Sequence, residues 1–208
     1  MKRRDVLGAV TGVLPVLAAG CASPVPGSGA ETTDVPKADD LAFDARVVDG
    51  SPTESPPRVA VELTNGADYG VRFTDGTAFP FTNFTSVGGD LYAIPPGVDG
   101  VSPLGDAASI VPDDRGDCWR ATTNWKVIDI AVQKTLSPGE SAPLEFDVLA
   151  AADTESCPTE GSYAFQNELL ATDARNENRD GPEQQFTLQF TVERGSDGEL
   201  TAASGTVM

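Results

Sequence analysis

The side chains able to do chemistry are few in kind. The 208 residues include no histidine, which excludes a Ser-His-Asp or Cys-His arrangement and any imidazole metal site. Acids number 32 against 14 lysines and arginines. Choosing two of so many carboxylates as a glycosidase pair would be arbitrary. Past the N-terminal segment the lysines are Lys37, Lys126 and Lys134, the last two on strand flanks where a solvated ammonium is expected. No catalytic residue emerges, and the chain reads as a non-enzyme without a cofactor. One pattern has metal-ligand spacing. Asn176-x-Asn178-x-Asp180-Gly181 sets oxygen donors at alternate positions ahead of a glycine, as calcium loops do. Asn176 stands where such loops begin with Asp, and Thr187 where they end with Glu. A solvated polar loop over 173–181 is the preferred reading, and no metal is assigned.

The cysteines are Cys21, Cys118 and Cys157. An odd count is most simply two paired and one modified. Cys21 follows a charged start, Lys2-Arg3-Arg4, and an apolar run over 6–19. That run is shorter than the roughly 20 residues a membrane helix needs, so residues 1–20 read as a targeting segment. Arg3-Arg4-Asp5-Val6-Leu7 resembles a twin-arginine export signal. Leu17-Ala18-Ala19-Gly20-Cys21 resembles a lipobox, with Ala18 where leucine is usual. That resemblance implies a chain exported to the outer face of the cell membrane and held there by lipid on Cys21. Residues 21–40 are rich in Pro, Gly, Ser, Thr and acid and show no strand or helix period. As a flexible tether they would hold a domain roughly 25 Å from its anchor.

Net charge is −18, and removing Lys2, Arg3, Arg4 and Asp5, which sum to +2, leaves −20. A domain so acidic repels itself in dilute buffer, whereas in molar salt the Debye length falls to about 3 Å and the repulsion is screened. The composition resembles that of proteins from salt-loving archaea. Nucleic acid is excluded as a partner, because no basic patch exists to displace counterions from phosphates.

The positioning elements are read from alternation. Leu41, Phe43, Ala45 and Val47 alternate with Ala42, Asp44, Arg46 and Val48. Val59, Val61 and Leu63 repeat the pattern, and Val71 with Phe73 makes a short strand closed by Asp75-Gly76. Residues 125–133 have two apolar faces and predict one central strand. Leu136-Ser137-Pro138-Gly139-Glu140 predicts a turn. Ala142, Leu144, Phe146 and Val148 follow as an inward face. Phe186, Leu188, Phe190 and Val192 alternate most clearly of all. Residues 171–183 predict a polar loop, and 195–208 a mobile polar tail.

Residues 76–89 carry no charge in a chain that is 22% charged, and they hold Phe79, Phe81 and Phe84. Such a stretch is either core or a contact surface. Core is the weightier reading, and a surface for an envelope protein or polymer is the functional one. Asn83-Phe84-Thr85 is also a glycosylation sequon, which requires Asn83 exposed. The connection over 95–117 is long and irregular, and such connections are often functional.

Gly161-x-Tyr163 resembles the tyrosine corner of immunoglobulin-like sandwiches, in which the phenol closes a loop onto backbone. Phe165 stands where antibody domains place their second disulfide cysteine. A Cys118–Cys157 bond must therefore pin loop or strand ends and not bridge two sheets. A thiolate metal pair is the alternative, although two cysteines without histidine make a poor site. Trp119 is expected against the bond. Taken together, CWR, LSPGES and CPTEGSYAF behind a twin-arginine lipoprotein start resemble a family of uncharacterised lipoproteins from halophilic archaea. The LSPGE turn and the Gly-x-Tyr corner also resemble the intracellular proteinase-inhibitor family of bacilli, a similar sandwich. Neither resemblance supplies active residues. The expectation is an all-β chain: signal over 1–20, anchored tether over 21–40, an immunoglobulin-like β-sandwich of about seven to nine strands over 41–194, and a tail. Its implied role is a cell-surface binding module, with a passive envelope component and a carboxylate-based ion-binding or enzymatic domain as alternatives.

Overall fold

The computed structural model describes residues 35–128, 130–176 and 182–208. Cys21 and the signal segment lie outside that range, as do Asn178, Asp180 and Gly181 of the calcium-like pattern. After a 3-10 turn, Ala38–Asp40, the described residues form eleven strands. They are β1 (Leu41–Asp49), β2 (Arg58–Asn65), β3 (Val71–Asp75), β4 (Leu91–Ile94), β5 (Val101–Pro103) and β6 (Trp125–Val127), followed by β7 (Val132–Leu136), β8 (Ser141–Ala150), β9 (Gly161–Asp173), β10 (Gln184–Arg194) and β11 (Leu200–Val207). Among the described residues there is no α-helix, and no helix long and apolar enough to cross a membrane.

Two sheets face each other. One has the order β1-β2-β8-β4, the other β11-β10-β9-β3-β7, and every pairing is antiparallel. Read in chain order, the first is the A-B-E-D sheet of an immunoglobulin-like sandwich, and β10-β9-β3 is its G-F-C sheet. The predicted fold class is present, with β7 and β11 added at the two edges of the second sheet. A separate two-stranded ribbon joins β5 to β6.

The registers put the predicted apolar faces inward. Val61 lies opposite Ala45 on one side and Leu144 on the other, and Val59 opposite Val47 and Phe146. In the second sheet Phe165 pairs with Phe190, and their rings stack with centroids 4.6 Å apart. Phe190 also meets Phe146 of the first sheet at 5.8 Å. Where antibody domains bridge the sheets with sulfur, this chain uses stacked rings. Full burial of one such ring contributes about 1.5–3 kcal/mol.

The uncharged stretch is the seam of this sandwich. Phe81 and Phe84 are wholly buried. Phe81 sits among Phe43, Phe146 and Phe190 at 6.2, 6.1 and 4.9 Å. Past Phe84 the backbone joins both sheets at once. Ala93 N donates to Phe84 O (2.8 Å) on the β4 side, and Val87 N donates to Ala164 O (2.8 Å) on the β9 side. The contact-surface reading is thus overturned for Phe81 and Phe84. Its buried positions, among them Ala78, Phe81, Phe84 and Ser86, lie between two apolar layers with no room for charge, while Asn83 and residues 87–89 reach solvent.

Three further expectations are corrected. The tail is not free: β11 pairs with β10 from Leu188–Val207 to Arg194–Leu200, and Thr187 and Met208 exchange backbone hydrogen bonds at 3.0 and 2.9 Å. Half of its side chains are exposed, and the others are small or few: Leu200 is buried and Ala203 and Val207 pack against the core, so backbone pairing and a thin apolar face hold it together. The strand expected over 125–133 is two strands. Ile128 and Ile130 between them are 56% and 50% exposed, because β6 belongs to the small ribbon and β7 to the main sheet. Last, β9 runs on to Asp173 through the start of the expected polar loop. Asp173 is buried and bonded to Arg175 at 2.6 Å.

Candidate functional site

The sequence-predicted residues mostly hold the fold. Cys118 and Cys157 are bonded, with Cα atoms 6.0 Å apart. They join the β5–β6 connection to the β8–β9 connection, so the bond pins loops, as Phe165 required. The Trp119 indole donates to Pro52 O at 2.7 Å. The cavity beside the bond, about 20 Å³, has room for one water and no ligand. Tyr163 donates to Thr159 O at 2.8 Å, the expected corner. Phe79 is half-buried with its ring 5.5 Å from Phe73. Asn83 is exposed, as a sequon requires, and its Nδ2 donates to Gln166 O at 2.8 Å. Asn176 lies just past β9, its carbonyl accepting from Arg72 at 3.3 Å; the rest of the calcium-like pattern falls outside the described residues. Among those residues no group of acids or cysteines is placed to hold a metal ion.

A different place has the form of a site. β3 pairs with β9 and with β7, and its last pair is Asp75 with Val132. At Gly76 the chain leaves the sheet. Its neighbours continue: β9 runs on through Leu169 and Glu168, and Ile130 and Ala131 precede β7. Two inter-strand spacings, about 9–10 Å, separate the lines of β7 and β9, so the lane that β3 vacates is open. The result is a hollow of about 450 Å³ lined by Asp75, Gly76, Ile130, Ala131, Glu168 and Leu170. That volume suits a small ligand or one large side chain. Ile130 and Leu170 are among the exposed large hydrophobics, at 50% and 36%.

Asp75 forms the end of this hollow and is half-buried. Oδ1 accepts from Gly76 N (2.8 Å) and Thr82 Oγ1 (2.9 Å), and Oδ2 from Asn167 Nδ2 (3.0 Å). Burial pushes the Asp75 carboxyl above its usual range, and these hydrogen bonds oppose the rise without cancelling it. Asn167, buried, carries the network inward, its Oδ1 facing Thr82 N, Thr82 Oγ1 and Asn83 N at 3.3, 3.0 and 3.2 Å. The Thr82 hydroxyl has one proton for two acceptors, Asp75 and Asn167, and serves one at a time. Ile130 is held in place by its N–H to Ile128 O at 2.9 Å.

No family model, curated protein or solved structure matches the chain. The site therefore stands on its own geometry. Sequence reading passed over it, since Asp75-Gly76 registers only as a strand stop and Ile130 as core. The signal lay in register: which residues of β9 and β7 flank the end of β3 depends on pairings such as Thr74 with Leu170 and Asp75 with Val132, far apart along the chain.

Other concavities are weaker. A groove of about 330 Å³ in the irregular connection runs past Pro95, Val101, Pro103 and Ile110 to Asp147. Burial raises the Asp147 carboxyl, and Arg58 at 3.7 Å partly offsets this. That carboxylate already has its cation. A hollow of about 460 Å³ near the β10–β11 turn is ringed by Glu160, Glu193, Asp197 and Glu199 and lacks an apolar wall of large side chains.

Proposed function

We propose that this chain is a lipid-anchored binding module on the outer face of the cell membrane, working in high salt, and that it holds an envelope protein or polymer through the hollow beside β3. The observation that carries the reading is the vacated lane itself. A stable sandwich has no need of exposed Ile130 and Leu170 around a desolvated carboxyl, and perturbed acids in concave apolar settings are what binding sites present. The resemblance to lipoproteins of halophilic archaea, the start of the chain and the charge of −18 support the location. Two acyl chains on Cys21 would anchor it stably, where one would bind only transiently. Catalysis is not part of the proposal, because no nucleophile–base pair stands behind it.

The test is a pull-down from envelope extract in molar salt, comparing the wild-type chain with an Ile130→Ser/Leu170→Ser variant. The expected result is an envelope component retained by the first and lost by the second. Equal recoveries would count against the hollow. The seam position of Phe81 and Phe84 favours the second reading, a passive envelope component, because it removes the aromatic surface that first argued for binding. That reading predicts nothing retained by either chain.

A further inference from the structure

Resting on that binding reading, we propose that the hollow takes a cationic group on a hydrocarbon stem, the chemistry of a lysine or arginine side chain presented by the partner. The charge and the walls decide this. Among the described residues, the ionisable groups lining the hollow are Asp75 and Glu168, both carboxylates. Among the described residues no ion pair joins either to a lysine or arginine. The other half-buried acid described above, Asp147, has Arg58 beside it, so this chain does supply cations to its desolvated acids elsewhere. Asp75 Oδ2 accepts one hydrogen bond against two at Oδ1, which leaves acceptor capacity on the carboxylate. Burial disfavours its charge, and an incoming cation would relieve that penalty.

The apolar flanks set the rest of the ligand. Ile130 and Ala131 on one side and Leu170 on the other give an alkyl stem two surfaces to lie between, with the charged head at Asp75 and Glu168 at the rim. This is how lysine and arginine divide their side chains between oil and charge. The setting also answers the salt. A half-buried pair is screened far less than an exposed one, so a cation seated against Asp75 can hold where surface steering has vanished. An anionic ligand would meet two carboxylates, and a purely apolar one would leave Asp75 desolvated and unmatched.

The probe is n-hexylamine, an ammonium at neutral pH, set against n-hexanol and hexanoate in 2 M KCl. Binding to the full chain is followed by methyl NMR at Ile130 and Leu170. Hexylamine should shift both methyls and bind at least about ten-fold tighter than hexanol, the usual order for a charge-assisted hydrogen bond, with hexanoate weakest. Asp75→Asn should bring hexylamine down to the level of hexanol. Glu168→Gln, at an exposed position that does not threaten folding, should weaken hexylamine several-fold and leave hexanol unchanged. Equal affinity for amine and alcohol overturns the cation while leaving the hollow a binding site. No shift from any of the three overturns both. Hexylamine shifts spread evenly over the acidic surface also overturn the proposal, since they report general attraction.

Discussion

Asn65 shows how one side chain can replace a stretch of regular structure. It is wholly buried, and its Nδ2 donates to Tyr69 O and Leu136 O at 2.8 and 2.9 Å while Oδ1 accepts from Ala67 N at 3.0 Å. Asn65→Ala removes the partner of three backbone groups, with two of the bonds buried and that to Tyr69 O part-buried, and is expected to cost about 2–3 kcal/mol, measured by chemical denaturation in high salt. Asp75 behaves differently, because its folded carboxyl sits above the ordinary value of 3.8. Raised in the fold, it contributes stability that is whole below its unfolded pKa and is lost as pH rises through the folded one. Between about pH 4 and neutrality the wild type should therefore lose more Tm than Asp75→Asn, and other carboxylates cancel in that difference. A gap between the two that widens in favour of the wild type as pH rises would contradict the assignment. Glu140 has the opposite sign: its Oε2 accepts from Ser137 N at 2.8 Å and its carboxyl is held below the usual range by that bond. That contribution is present above its unfolded pKa and fades as pH falls through the folded one.

At the scale of elements, the sandwich solves its edges in two ways. On one side the 84–87 segment joins β4 to β9. On the other, β11 caps β10 and lies close against β1. A Cβ placed on Gly205 would stand 2.5 Å from Phe43 O, and one on Gly50 would stand 2.3 Å from Leu200 O, so the two glycines let backbones approach where side chains could not. Gly205→Val is expected to push β11 off β1, lower Tm and open the β10 edge to association, seen as dimers or larger species by light scattering. An unchanged Tm with a monomer would show that β11 is not held there. The disulfide acts on the two long connections. Cys118→Ala with Cys157→Ala releases a closure of 39 residues and should cost about 4 kcal/mol on the chain-entropy account, read as a lower denaturation midpoint that reductant no longer changes. Much at this scale was legible. Every strong apolar alternation became a strand with that face inward, the Gly-x-Tyr corner closed on Thr159, and the cysteines paired. The misses were β11, whose inward positions Ala203, Gly205 and Val207 are mostly too small to give a strong apolar alternation, and 125–133, whose two faces satisfied a central strand and a broken one equally.

For the molecule as a whole, a charge of −18 opposes compaction until salt screens it. Screening falls from about 10 Å at 0.1 M to about 3 Å at 1 M, so Tm should rise by roughly 10 °C or more from 0.2 to 3 M KCl. A Tm that is flat or falls with salt would mean that the acids are not in mutual repulsion. On the lipid anchor proposed above, Cys21→Ser should move the chain from the membrane to the soluble fraction, and a variant that stays with the membrane would overturn that anchor. What the amino-acid order determined by itself was whatever depends on neighbours along the chain: period-2 faces, turns, the cysteine count, the absence of imidazole and the surplus of acid. Each is a local property, and each carries its physics with it wherever the segment ends up. The tertiary structure alone decided that Phe81 and Phe84 lie in a seam and not on a surface. It also decided that the last strand exists and that β3 stops short between two longer neighbours. Those outcomes depend on which distant segments pair and in what register. A hollow made by one strand ending early is written in no segment, because it is the space among three.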